Sequence, residues 1–315
     1  DSLNTGGSAY DQAYAPVVIQ LASSGWRIYY QNYSACGWDV YGNPTAGCWK
    51  LAFKDTVNVT GSGQRYVGPS LALDSTDRPR IGYWYNNAVE YSYCDAACGS
   101  AASWSPKSVD AVGDYVGSGI SSATQTSLAL NSSDNPRLAY YMPVTGDLRY
   151  SYCDSGCASE FNWVKTTVAS SNYSGRYASL SLDISNRPRI AHEEYTNPDY
   201  YLDYSYCDAN CGNASSWLTA RNINNASTWS DLYGTYNQNE KAYNNPLVMD
   251  WFSAVARIDF MYGSNTLTYG YCLAGCSSTG NWVKNSYGTT NVGWTDFDID
   301  AVGTTHSAYY IIGSG

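Results

Sequence analysis

Charge is scarce in this chain, and so is helix-forming composition. Only 17 lysines and arginines are spread through 315 residues, against 27 acidic residues, for a formal net charge of −10. A nucleic-acid partner requires a clustered basic surface to neutralise phosphates, so this balance argues against one. Runs of Ala, Leu, Glu and Lys at helical spacing are missing, and no stretch approaches the roughly 18 apolar residues that cross a bilayer, which argues against membrane insertion. His192 and His306 are the two histidines, which leaves few bases for a Ser-His-Asp triad. Gly-x-Ser-x-Gly elbows, P-loops, EF-hand loops, Cys-x-x-Cys-His and His-rich metal motifs do not occur, so neither cofactor nor metal is expected.

What is abundant points to strands and turns. Tyrosine supplies 32 residues and glycine 28, among many Ser, Thr and Asn. Ten cysteines fall into close pairs, Cys36–Cys48, Cys94–Cys98, Cys153–Cys157, Cys207–Cys211 and Cys272–Cys276, and five local disulfides are expected. Zinc would need two such pairs brought together, which repeats set far apart do not allow. A start at Asp1 reads as a processed N-terminus left by a removed signal peptide, and with the disulfides it predicts a secreted, extracellular or cell-surface protein. Asn-x-Ser/Thr sequons at Asn32, Asn58, Asn131, Asn172, Asn213 and Asn225 agree with that location as candidate glycosylation sites.

Aligned on the cysteine pairs, the chain repeats in units of roughly 55 residues. Strand a reads SLALD at Ser70–Asp74, SLALN at Ser127–Asn131 and SLSLD at Ser179–Asp183, with LVMD and DFDID in later units. Strand b opens on a recurring arginine at Arg80, Arg137, Arg189 and Arg257, and strand c ends in VEYSYC, LRYSYC, LDYSYC or TLTYGYC. Strand d begins at Trp104, Trp163, Trp217 and Trp282, six residues past the second cysteine of each pair. The alternation within each segment is that of half-buried strands.

These features predict an all-β fold, a single β-propeller domain over residues 1–315 with about five four-stranded blades. The units run approximately over 26–65, 69–126, 127–178, 179–245 and 246–295, with 296–315 pairing with the N-terminal strands to close the ring. Pro16–Leu21 also reads as a strand b, so six blades is the alternative. The SLALD, RPRIGYW and YSYC units resemble those of secreted bacterial and archaeal propeller-like repeat proteins without a settled activity. The resemblance implies a fold and leaves the ligand open.

The repeats also serve as their own control. The recurring arginines are expected to bridge neighbouring strands or blades, and Asp74, Asn131, Asp183 and Asp300 to cap their own turns. Departures gather in the third complete unit, where His192, Glu193 and Glu194 replace Tyr, Trp and Tyr of the first. The segment Tyr195–Tyr201 (YTNPDYY) reads as the longest loop of its class, and Asp259 stands where other units have Gly or Ala. His192, Glu193, Glu194, Asp199, Tyr200, Tyr201 and Asp259 are therefore the candidate ligand contacts, since carboxylates beside aromatics suit sugar hydroxyls and ring faces. The bland alternative makes the two glutamates solvated strand-end residues and His192 a satisfied, partly buried imidazole.

A non-catalytic extracellular recognition module, binding glycan or another surface ligand, is the leading expectation. A self-assembling subunit of a filament, sheath or surface layer is the second, and a glycoside hydrolase the third. Glu193 and Glu194 point to opposite sheet faces and cannot themselves be a hydrolase pair.

Overall fold

The computed structural model describes residues 13–20, 26–32, 49–50, 66–85, 88–98, 103–111, 125–170, 173–196, 199–223, 247–250, 255–262, 266–289, 292–299 and 304–311. The Cys36–Cys48 pair and the sequons at Asn58, Asn172 and Asn225 lie outside them.

The fold is an all-β propeller. Its first sheet holds β1 (Ala13–Gln20), β2 (Trp26–Asn32) and β3 (Trp49–Lys50). Blade one follows with β4 (Tyr66–Leu73), β5 (Pro79–Tyr85), β6 (Ala88–Tyr93) and β7 (Ser105–Ala111). Blade two has β8 (Thr126–Leu130), β9 (Pro136–Met142), β10 (Asp147–Tyr152) and β11 (Val164–Ala169). Blade three has β12 (Arg176–Leu182), β13 (Pro188–Thr196), β14 (Asp199–Cys207) and β15 (Trp217–Ala220). Blade four has β16 (Leu247–Met249), β17 (Ala256–Tyr262), β18 (Thr266–Cys272) and β19 (Trp282–Ser286), and a last sheet has β20 (Val292–Ile299) and β21 (Thr305–Ile311).

Each of the four complete blades is an antiparallel meander in chain order. Its a–b and c–d turns therefore lie at one end, and its b–c and d–a connections at the other. The innermost strands follow one another round a ring, β4 beside β8, β8 beside β12, β12 beside β16 and β16 beside β20, with β1 touching both β20 and β4. At this seam the described strands of the two chain ends form two partial sheets in side-by-side contact. Counted as one composite blade the seam gives five; counted as two it gives six.

The repeat motif has a physical task at nearly every position. The serine opening strand a reaches the next blade: Ser70 accepts Leu128 N–H at 2.8 Å, Ser127 accepts Leu180 N–H at 2.8 Å, and Ser179 accepts Leu247 N–H at 2.9 Å. The closing aspartate caps its own turn, with Asp74 Oδ1 accepting the Thr76 and Arg78 N–H groups at 2.9 Å each. The arginine of strand b binds that aspartate and the cysteine loop together. Arg189 donates to Asp183 at 2.9 Å, to the Cys207 carbonyl at 3.1 Å and to Asp208 at 2.7 Å. The recurring arginines thus bridge strands inside a blade.

Neighbouring a–b turns are stitched as well, with Ser75 N–H donating to Asp134 at 2.8 Å and Ser132 N–H to Asn186 at 2.8 Å. The disulfides Cys94–Cys98, Cys153–Cys157, Cys207–Cys211 and Cys272–Cys276 are formed. Each c–d loop is closed further by the tryptophan Nε1–H, which donates to the second cysteine's carbonyl at 3.0–3.2 Å in all four blades.

The core sits between blades. Leu138, Ile190 and Ile258 are fully buried, each against a small residue of the preceding blade; a methyl at Gly82 would run into Leu138. Burying one such side chain stabilises by about 1.5–3 kcal/mol. The tryptophans meet the preceding blade's tyrosines edge-on, Trp163 on Tyr91 at 5.5 Å, Trp217 on Tyr150 and Trp282 on Tyr204 at 5.1 Å each.

Candidate functional site

Blade three differs from the others at its b–c end. YTNPDYY is predominantly strand rather than loop: Tyr195 pairs with Tyr200 and Thr196 with Asp199, leaving only Asn197 and Pro198 between them. Thr and Tyr favour strands, and paired tyrosines hold the ladder together, so extra residues lengthen the hairpin. β13 and β14 have nine residues each, against seven and six in blades one and two. Two added residue pairs carry the hairpin roughly 7 Å further at 3.3 Å per residue. Asp199 and Tyr200 lie on this added segment; only their backbone positions are described.

The alternative of solvated strand-end glutamates is not what the structure has, because His192, Glu193 and Glu194 are all buried. The strand pleat divides them between faces. His192 and Glu194 share the face toward blade two with Asp203, Ser205, Thr219, Tyr201 and Arg221, and Glu193 faces blade four. Each carboxylate carries an arginine. Glu193 meets Arg176 Nη1 at 3.1 Å, and that guanidinium lies over the rings of Tyr177 and Tyr195 at 5.5 and 5.8 Å. Glu194 accepts Arg221 Nε at 3.1 Å through Oε2 and Arg221 Nη2 through Oε1.

The two arginines differ in access. The Arg176 side chain is 18% exposed and held by rings, whereas Arg221 is 56% exposed, and its Nη1 has no partner among the described residues. Asn222 N–H donates to Asp203 Oδ1 at 2.8 Å and Ile223 N–H to the Leu202 carbonyl at 2.8 Å, so the chain leaving β15 is fastened to β14 beside Glu194.

Burial sets the protonation of this cluster. It pushes the Asp203 carboxyl well above the ordinary range, against the Asn222 N–H and helped by the charge of Glu194 and the hydrogen bond shared with it. Burial likewise lowers His192 to about 4, against the Glu194 charge, so the imidazole is neutral at neutral pH while its Nε2 lies 2.9 Å from Ser205 Oγ. Two carboxyls joined by a hydrogen bond leave no room for a glycosidic bond between them. Among the described residues no group of three or more His, Cys, Asp or Glu is arranged for a metal ion, and no helix is long and apolar enough to cross a membrane.

Asp259 is separate from this cluster. It faces the last sheet, where Ser307 occupies the slot of Leu138, Ile190 and Ile258, and Ser307 Oγ donates to it at 2.7 Å. Burial raises its pKa to about 6 against the bonds from Ser307, Tyr287 and Thr295. The apolar Ala–Ile contact of other blades is here replaced by Asp–Ser.

Sequence reasoning found the departing carboxylates and missed their partners. Arg221 stands in the slot of Ser108, Thr167 and Ser286, and Arg176 in that of Val67, so a search for paired departures would have reached both.

No family model and no curated protein matches this chain. Among solved structures it is similar to the Aleuria aurantia lectin in complex with Fucα1-6GlcNAc, at 16% identity over 97% of this chain and 95% of that one, with a TM-score of 0.50. It also aligns with an endo-arabinase from Bacteroides thetaiotaomicron at 11% identity over 79% and 90% of the two chains, TM-score 0.45. A β-1,3-galactosidase with galactodeoxynojirimycin aligns at 7% identity over 93% and 92%, TM-score 0.47. At 16% identity the likeness to the lectin shows a shared fold alone.

Proposed function

We propose that this chain is a carbohydrate-recognition module that binds glycan at the b–c end of blade three. The observation that carries the reading is the exposed Arg221 guanidinium, fixed in a two-point grip on buried Glu194 on the sheet face that also bears half-buried Tyr201. A guanidinium held in place by a buried carboxylate offers its remaining donors in one plane to sugar hydroxyls, and an aromatic ring covers the sugar's apolar side. Fixing the guanidinium before a ligand arrives lowers the ordering cost of binding.

The similar fold of a lectin bound to Fucα1-6GlcNAc supports this reading. Four disulfides fit an extracellular protein, the compartment in which glycans are displayed. The test is a printed glycan array probed with the labelled chain. Retention on a restricted, structurally related set of glycans is expected; absence of signal across neutral and acidic glycans alike would overturn the proposal.

A further inference from the structure

We infer that Asn213, in the c–d loop of blade three, carries an N-linked glycan, and that Asn131, in the a–b turn of blade two, does not. Both open an Asn-x-Ser sequon, so the motif treats them alike. What separates them is where each amide nitrogen points.

The repeats isolate the first site. Two residues past the second cysteine the other complete blades have Ser100, Ser159 and Ser278, and two residues further on they have Ala102, Phe161 and Gly280. Blade three has Asn213 and Ser215, so both halves of the sequon enter together in one blade. The loop forms without either. Ser159 and Ser278 precede the same 3₁₀ turn with no side-chain cap, at φ −109° and −103° against −111° for Asn213. In blade three Asn213 Oδ1 accepts the Ser215 N–H and the Ser215 hydroxyl, each at 3.1 Å. Both bonds fall on the oxygen of an exposed side chain, which leaves Nδ2 with two hydrogens and no partner among the described residues.

Asn131 is turned the other way. It stands in the slot of Asp74 and Asp183, and its Oδ1 takes over their turn cap, accepting the Ser133 N–H at 3.0 Å and the Asn135 N–H at 2.8 Å. In the two aspartates the second carboxylate oxygen faces the strand-b arginine, 2.7 Å from Arg80 and 2.9 Å from Arg189. The Asn131 nitrogen takes that inward place, opposite buried Arg137, which bonds the Cys153 carbonyl and Asp154 instead. A sugar on this nitrogen would have to displace the guanidinium or break the cap, and either change leaves buried polar groups unpaired.

The donor is a lipid-linked oligosaccharide diphosphate, used by a membrane transferase of the secretory route. The amide nitrogen attacks the sugar's anomeric carbon, and the new C–N bond replaces the C–O bond to the diphosphate. One proton leaves the nitrogen for the transferase's base, and the lipid diphosphate departs. Only Nδ2 is modified, so the Asn213 carbonyl keeps its bonds to Ser215 and the folded loop accommodates the product. The c–d loop lies at the end of the blade opposite the b–c hairpin, which keeps the glycan clear of that hairpin's tip.

The test secretes the full chain from a eukaryotic host and releases its glycans enzymatically in heavy-oxygen water, which marks each carrier asparagine as a heavy aspartate. Peptide mass spectrometry, with an untreated sample as control, reads the two sites separately. A mark at Asn213 and none at Asn131 is expected. Ser215→Ala, which keeps the backbone N–H that bonds Asn213, should remove the mark while secretion and melting temperature match the native chain. A mark at Asn131, or a bare Asn213 in the secreted, folded chain, would overturn the inference.

Discussion

The imidazole Nε2 of His192 lies 2.9 Å from the hydroxyl of Ser205, and Tyr83 and Tyr140 reach Ser92 and Ser151 from the same slot at 3.0 and 2.7 Å. In blade four both partners are replaced: Phe260 faces Gly270, where a methyl would sit 3.0 Å from the Phe260 ring. The serine of YSYC is thus the partner of the polar ring on strand b, and it is absent where that ring has no hydroxyl. Ser205→Gly, which leaves a buried imidazole nitrogen unpaired, should cost about 1–3 kcal/mol. The double variant His192→Phe/Ser205→Gly should lose clearly less than the sum of the single changes in urea unfolding, whereas strict additivity would show that the two residues do not act as a pair.

The arginine clamp makes a second prediction. Arg189 is nearly buried and joins Asp183, the Cys207 carbonyl and Asp208, with Arg187 as a further partner of Asp183 at 2.7 Å. Arg189→Met should destabilise by about 3 kcal/mol, since a buried carboxylate loses one of its two cations. Asp208→Ala, whose side chain is 57% exposed, should cost less than about 1 kcal/mol. Equal losses in the two variants would contradict the clamp.

Asp259 should leave a mark on the pH dependence of stability. Its folded pKa, about 6, lies above the ordinary 3.8, so between those values the folded chain retains a proton that the unfolded chain has released. Stability from this group is therefore full below about pH 3.8 and falls as pH rises to about 6, flattening beyond. His192, with a folded pKa lowered to about 4, acts in the opposite sense, its contribution being lost as pH falls from 6.5 toward 4. Comparing urea midpoints of Asp259→Asn with the native chain isolates the first effect: the variant should gain relative stability between pH 4 and 6, and a constant difference would contradict the assignment.

Much of the fold was legible because one unit recurs. Ser70, Asp74 and Arg80 return in later blades in the same order, and Tyr91, Cys94 and Trp104 return at fixed spacing from one another, each serving a contact that recurs from blade to blade. The site was less legible. Sequence departures at His192, Glu193, Glu194 and Asp259 were visible, but their internal partners Ser205, Arg176, Arg221 and Ser307 come from other strands, and register alone brings them together. The long hairpin was misread because Asn197–Pro198 looks like the middle of a loop, while strand pairing of the flanking tyrosines depends on contacts across it.

The disulfides give a fourth prediction. Each closes a five-residue segment, for which chain entropy alone gives about 2 kcal/mol. Cys207→Ser/Cys211→Ser should lower the thermal midpoint and keep the native circular dichroism, because Trp217 Nε1–H still closes the loop onto the residue 211 carbonyl. Loss of the folded signal would make the staple essential to the blade.

The central claim, recognition at the b–c end of blade three, is tested most directly by array binding of two variants placed at opposite ends of the propeller. Tyr201→Ala removes the ring on the Glu194 face and leaves the Arg221–Glu194 pair in place, whereas Asp134→Ala cuts the Ser75 stitch at the a–b end. The account expects Tyr201→Ala to lose about tenfold or more in glycan retention and Asp134→Ala to bind like the native chain. Unchanged binding by Tyr201→Ala, with loss in Asp134→Ala, would place recognition at the other end and contradict the account.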